Sequence, residues 1–446
     1  MDSETEIVTN EIQAIYPANS LQQGFIFHAV SQPNDDAYLV QSLCDYYQKL
    51  DVHAYRQAWT IAINTYPTLR LCFNWDENPI QIITKHGNLH FVLHDISEAI
   101  DKNDAILKLQ QLDRKHGFDL TKPTLMRLHL IKQDNKHFTL LKTEHHSIAD
   151  AWSAAILLNQ VHHFYHQLIS GITPTITQDT AYLQSQAFIT KHQTDAQNYW
   201  QKAIHDIQHG NDVNGLFKQQ VKLEELNHVK KSCEIDIALD VTHYERLKNL
   251  VHDEGLTLHG LVQFAWHKLL HTYTTDAETI VGTTISGRTL PITDIEKSVG
   301  LYINTLPLMV RWDNALTTKA QLHRIHQEIM ALNKYSFVYL SALQRAGNRL
   351  FNSLLLFENL SITPQKPLSD DYLVASNRRG IQKLNYPLVL TVHIKNNTLW
   401  FNFKYDGAYL NDQRANELLK QLFIILQQVP CRLQPRWGLC QQPPRV

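Results

Sequence analysis

Apolar positions along this chain recur by turns at helical and at strand spacing, with no repeat unit. From Asp51 to Tyr66 the residues Val52, Tyr55, Ala58, Trp59, Ala62 and Ile63 fall three and four apart behind an acidic residue suited to an N-cap, which predicts an amphipathic helix. Residues 69–75 and 80–83 read as short strands around the turn Asp76-Glu77-Asn78-Pro79. Residues 125–131 and 138–143, separated by a polar stretch, predict a second hairpin. A helix follows with Trp152, Ile156, Leu157, Val161 and Phe164 on one face. The first half is therefore α+β.

The turn-rich Ser170-Gly171-Ile172-Thr173-Pro174 marks a boundary, so two units are expected, over 1–175 and 176–429. In the second, helices are predicted over 182–204, over 257–273 with Leu258, Leu261, Val262, Ala265, Trp266 and Leu269 inward, and from 412 to about 427. Strands are predicted over 280–285, 306–311, 354–358, 388–394 and 399–405. This half repeats the composition class of the first, with more sheet expected. Residues 430–446 are rich in Pro, Arg and Gln, lack periodicity, and read as a linker remnant or an appended tail.

Composition narrows the function. At 446 residues, with 43% hydrophobic and 19% charged, the chain can bury two or three cores, and a net charge of −2 offers no electrostatic footprint for nucleic acid or an anionic membrane. There are 15 glycines where average usage gives about 31, and neither a G-x-x-x-x-G-K-[ST] nor a G-x-G-x-x-G stretch to wrap a phosphate. The cysteines Cys44, Cys72, Cys233, Cys431 and Cys440 are odd in number and never form C-x-x-C, which argues against a disulfide framework or a zinc knuckle and fits a reducing cytoplasm. The N-terminus is acidic and no apolar run reaches the ~18 residues that span a bilayer, so neither export nor anchoring is expected. The 25 histidines are scattered without H-E-x-x-H, and no metal site is expected.

The stretch that carries chemistry is Glu144-His145-His146-Ser147-Ile148-Ala149-Asp150-Ala151-Trp152-Ser153, a strand-loop-helix corner. Asp150 is a natural N-cap there, its carboxylate favoured by the positive helix terminus. Taken alone, the spacing suits a plain loop and cap better than a site.

Six stretches in order settle the choice, because from near its start to about residue 428 the chain resembles the condensation domain of non-ribosomal peptide synthetases. Tyr16-Pro17-Ala18-Asn19-Ser20-Leu21-Gln22-Gln23-Gly24-Phe25-Ile26-Phe27-His28 resembles the opening P-x-x-P-x-Q-x-G-x-x-F-H of part of that family, with Ser20 for the second proline. Leu69-Arg70-Leu71-Cys72-Phe73 stands where the family has L-R-T-x-F, and residues 145–153 stand on its H-H-x-x-x-D-G-W-S, with Ala151 for the glycine. Residues 281–288 with 299–307, then 354–359 and 385–388, resemble the remaining signatures. Ala is well tolerated in a first helical turn, so a reshaped rather than a dead pocket is expected.

The resemblance implies an α+β fold of two chloramphenicol-acetyltransferase-like lobes in a V with the active site in a channel between them. It implies amide bond formation between a donor acyl or peptidyl thioester and the amine of an acceptor aminoacyl thioester. Both ride on phosphopantetheine arms of partner carrier proteins, so no cofactor is bound intrinsically. Neighbouring synthetase domains are the further partners, and the chain itself is expected to be a monomer, either cut from a multidomain synthetase or standing alone. His146 is expected to hold the amine, take its proton or steady the tetrahedral intermediate; the resemblance implies that Asp150 pairs with Arg288 of the other lobe; His145 is expected to be structural. Phe27 and Trp152 are expected in the core, and Tyr386-Pro387 and the segment 304–307 are given no catalytic role. The opening motif, Ser20 apart, resembles that of domains taking a D-configured donor and an L-configured acceptor, which is the stereochemistry it implies here. The alternatives are a coenzyme A-dependent acyltransferase of the same superfamily and a degenerate carrier-docking domain. An epimerisation domain needs a glutamate-glycine-histidine type segment that is missing, and a cyclisation domain would replace the histidines by aspartates.

Overall fold

The computed structural model describes residues 11–33, 35–205, 207, 210–217, 220–222, 229–343, 349–358, 373–381, 386–395 and 397–433. Its elements run β1 (Ile12–Pro17), α1 (Ser20–Ser31), β2 (Leu39–Tyr46), α2 (Val52–Thr65), β3 (Leu71–Asn74), β4 (Ile80–Thr84), β5 (His90–Asp95), α3 (Lys102–Lys115), β6 (Met126–Lys132), β7 (Phe138–His145), α4 (Ala151–Ile169) and α5 (Ala181–Ala203). They continue β8 (Ser232–Ala238), α6 (Val241–Asp253), α7 (Leu258–Thr274), β9 (Glu278–Ile285), β10 (Asn304–Arg311), α8 (Thr318–Lys334), α9 (Leu340–Leu343), β11 (Ser353–Glu358), β12 (Ser376–Ile381), β13 (Leu388–Lys395), β14 (Thr398–Asp406) and α10 (Asp412–Leu433).

The chain divides into two compact units, but not at 175/176. The first holds the residues up to 194 together with 290–303 and the described part of 362–383; the second holds the remainder. The division falls inside α5, and two later segments belong to the first unit because their backbone bonds are made there. Strand β12 pairs antiparallel with β2, Ser376 opposite Asp45 and Ile381 opposite Gln41.

In the first unit, a five-stranded sheet runs β12-β2-β7-β6-β5 and a three-stranded one β1-β4-β3. Helix α2 forms as the spacing predicts, with Asp51 Oδ1 accepting the Ala54 N–H at 3.0 Å. Its Tyr55, Trp59 and Ala62 join Leu157 and Val161 of α4 and Leu128, Leu130 and Leu140 of the sheet in one core. Ile106 of α3 buries a smaller cluster with Leu43, Ile131 and Leu141. Because apolar groups cover both faces, β7 is buried throughout, and the chemistry-bearing corner grows from its end.

In the second unit a six-stranded sheet runs β10-β9-β11-β13-β14-β8, with its own core that includes Trp266 of α7, Phe401 and Phe403 of β14 and Leu418 and Leu422 of α10. By chain order β1–β7 and β8–β14 are equal in number among the described residues, but β12 joins the sheet of the first unit. Helix α10 also outruns its predicted end. Leu426 and Val429 continue its buried stripe, so residues 430–433 are helix, Pro430 included, rather than tail. Residues 434–446 lie outside the described residues, as do Asn359 and Asn385 of the last two signatures.

Candidate functional site

The two histidines prolong the ladder of β7 on opposite sides. The His145 N–H donates to Leu125 O (3.0 Å) and the His146 N–H to Tyr38 O (2.8 Å). His145 is buried, and its Nδ1 accepts the Ser147 N–H (3.3 Å) with Ser147 Oγ at 2.8 Å. Burial first, then the neighbouring His146 and His28, push its pKa down to about 3, so the ring is neutral at physiological pH. His145 is thus a locked structural group.

His146 is half-buried and differently held. Its Nδ1 lies 2.9 Å from Ala149 O, and since a carbonyl only accepts, Nδ1 carries the proton. In the neutral ring Nε2 then presents its lone pair. The ring plane is set by stacking on Phe25 of α1, centroids 5.6 Å apart and planes 20° from parallel.

Asp150 caps α4 as its position predicts: Oδ1 accepts the Ser153 N–H at 2.8 Å, and Oδ2 accepts the Tyr302 N–H at 3.1 Å, with 2% of the residue exposed. Beside it Ser153 Oγ–H donates to Gly300 O (2.6 Å) and Oγ accepts the Gly300 N–H (3.0 Å). Thr68 Oγ donates to Val299 O (2.9 Å), Asn19 Nδ2 to Leu301 O (3.1 Å) and Trp152 Nε1 to Glu296 O (3.1 Å). The segment 290–303 is therefore clamped onto the corner that holds the motif. Gly300 is required there, because a Cβ would stand 2.4 Å from the Tyr182 ring. Ala151 is exposed at the first position of α4, where its methyl meets no steric penalty from the helix.

Two groups from the other signatures have duties the sequence did not reveal. Gln22 is fully buried; its Oε1 accepts the Asn19 N–H (2.8 Å) in a capping box, and its Nε2 donates to Ser147 O (3.1 Å) and Tyr182 Oη (3.3 Å). Tyr182 Oη–H in turn donates to Gln81 Oε1 (2.7 Å). The opening motif thus braces the histidine loop. Arg70 is fully buried and purely structural, donating to Thr84 O (2.9 Å), Asn64 O (3.0 Å), Gln13 Oε1 (2.8 Å) and Ile63 O. Pro67 starts a 3-10 turn, Pro67–Arg70, so the strand expected from 69 begins only at Leu71.

Arg288 lies in the second unit, buried, just beyond β9, where Gly287 holds φ at 63°. Phe27, expected in the core, is 73% exposed: 100° per residue sends Gln22, Phe25 and Ile26 inward on α1 and Phe27 out. Trp152 is half-buried. Among the described residues no group of three His, Cys, Asp or Glu could hold a metal, and no helix is long and apolar enough to cross a membrane.

Comparison with known proteins gives the geometry its family. The chain is 32% identical over 432 residues to N-(5-amino-5-carboxypentanoyl)-L-cysteinyl-D-valine synthase of Penicillium chrysogenum, covering 93% of this chain and 12% of the relative. It is 32% identical over 440 residues to the synthase of the same name from Amycolatopsis lactamdurans, covering 95% and 12%. The chain thus spans about an eighth of the length of these relatives. A solved four-domain nonribosomal peptide synthetase shares the fold, with a TM-score of 0.74 at 18% identity over 95% of this chain and 33% of that one. The family described as "Condensation domain" matches residues 12–432, and the chain belongs to it, as a condensation domain of the non-ribosomal peptide synthetase kind.

Proposed function

We propose that this domain joins a donor acyl or peptidyl thioester to the amine of an acceptor aminoacyl thioester, both delivered on the phosphopantetheine arms of partner carrier proteins. Condensation domains of peptide synthetases catalyse peptide bond formation, and one observation supports His146 as the group that manages the proton here. Its Nδ1–H is committed to Ala149 O, which leaves Nε2 as an acceptor.

The acceptor amine attacks the donor carbonyl, the C–N bond forms, the C–S bond breaks and one proton passes from nitrogen to the departing sulfur. An α-amine with a pKa near 8 is roughly one-tenth neutral at pH 7, so full prior deprotonation gains only about 1.4 kcal/mol. His146 Nε2 contributes more by accepting a hydrogen bond from the amine, which fixes its approach, and taking the proton as the tetrahedral intermediate forms. A lone pair at Nε2 favours this role over donation to an oxyanion. His145 sets the loop, and Asp150 and Arg288 are proposed as a pair that holds it. Cys44, Cys72 and Cys233 are free thiols, which suits a reducing cytoplasm.

For the donor we propose the D configuration. Pro17, Gln22, Gly24, Phe27 and His28 carry the opening motif, and one of them meets the histidine loop directly: Gln22 bonds Ser147 O, while Phe25, at an unspecified position of the same stretch, stacks on His146. The handedness of the donor Cα decides which thioester face meets that loop. Paired donors ending in D and L residues on the same carrier, with the acyl group on coenzyme A as a third arm, test both parts. Faster turnover of the D form is expected. Faster turnover of the L form refutes the stereochemistry, and transfer from coenzyme A alone refutes the carrier.

A further inference from the structure

Two residues with strained backbone flank the paired histidines. Among the described residues other than glycine, positive φ occurs at five, including Tyr38 (67°) and Thr124 (70°). Tyr38 immediately precedes β2 and Thr124 immediately precedes Leu125. Their placement is matched by function in the ladder, since Tyr38 O receives the His146 N–H and Leu125 O the His145 N–H. Tyr38 is the one of the two that also brings an aromatic ring to the histidines. It occupies the third position of a turn closed by the Leu39 N–H on Asp36 O (3.3 Å), where a positive φ ordinarily calls for Gly or Asn. A bulky aromatic there is an outlier, and such outliers persist where the surroundings over-determine them. The Tyr38 ring lies 4.3 Å from Phe25, the ring on which His146 stacks, and 5.1 Å edge-on from His28. The backbone of Tyr38 thus meets the His146 N–H, and its ring meets Phe25, on which His146 stacks.

We propose that Tyr38 is a positioning residue for His146, its left-handed backbone aiming a carbonyl at the His146 N–H while its ring presses Phe25 against the imidazole. The proposal rests on the role given to His146 above. Four proteins separate its parts: the parent, Tyr38→Phe, Tyr38→Gly and Tyr38→Val. Phenylalanine keeps ring and backbone, glycine keeps only the backbone conformation, and the β-branched valine keeps neither. With carrier-bound substrates, Tyr38→Phe is expected within twofold of the parent. Tyr38→Val is expected to lose about 30-fold in kcat with KM within twofold, and Tyr38→Gly to recover at least fivefold over valine. Ring-nitrogen NMR on histidine-labelled protein, with His146 assigned by difference against His146→Gln, is expected to lose the Nδ1–H signature only in Tyr38→Val. If valine does not fold, the β-branched Tyr38→Ile takes its place in the same comparison. A parent-like kcat and His146 signal in the valine protein, or equal losses with glycine and valine, overturns the proposal. The NMR arm needs no substrate, so an inactive parent with an intact signature refutes the reaction and leaves the placement of His146 standing.

Discussion

Replacing His146 by alanine is expected to lower condensation between carrier-bound substrates by roughly 10²- to 10⁴-fold, the range for loss of a positioned proton acceptor, while thermal unfolding stays near that of the parent. The ring is half-buried and, among the described residues, makes one side-chain hydrogen bond, to Ala149 O, and stacks on Phe25, so little packing is lost. His145 offers the contrast. It is buried and tied to Ser147, so His145→Ala is expected to act through the fold and to lower the melting temperature as well as the rate. Equal activity of His146→Ala and parent, measured by product formation at saturating donor and acceptor, removes His146 from the mechanism.

Substitution of Asp150 is expected to be the most costly for stability. Asp150→Ala strips the N-cap of α4, about 1 kcal/mol by itself, and leaves the Tyr302 N–H without its acceptor. If Arg288 is its ionic partner, either single change leaves one buried charge uncompensated, about 3–5 kcal/mol. The double mutant Asp150→Ala/Arg288→Ala is then little worse than Asp150→Ala, and Asp150→Ala exceeds Arg288→Ala by the capping contribution, since the arginine change leaves both backbone bonds to Asp150 intact. A double-mutant cycle read by thermal unfolding decides the matter. Strictly additive losses mean that the two side chains do not meet.

Much of this was legible along the chain. Helix α2, the β6–β7 hairpin and α7 announce themselves by spacing, because each buries one face of a locally continuous pattern. Helix α4 follows from the spacing of Trp152, Ile156, Leu157, Val161 and Phe164, and its cap from Asp150. Strand β12 was not legible: its partner β2 lies far back in the chain, and Ser-Asn-Arg-Arg-Gly-Ile has no alternation. The division of the chain was hidden for the same reason, since 290–303 joins the first unit through bonds to Thr68, Asn19, Ser153 and Asp150 that no local pattern records. At the site, the spacing of His145, His146 and Asp150 marked the place and the resemblance marked the chemistry. The state of His146 could not be read, because a backbone carbonyl, Ala149 O, fixes its tautomer. Nor could the bracing by Gln22, a buried amide whose value depends on Ser147 and Tyr182 arriving from elsewhere in the sequence.

The central claim is that this domain moves an acyl group from one carrier to an amine on another. The most direct measurement is the intact mass of the acceptor carrier after incubation of the parent protein with loaded donor and acceptor carriers. The account predicts that the acceptor carrier gains the mass of the donor acyl group, in an amide that survives thioester cleavage, and that the donor carrier is left with a free thiol. An acceptor carrier that stays at its loaded mass while the donor thioester persists, across a panel of donor and acceptor pairs, would contradict it.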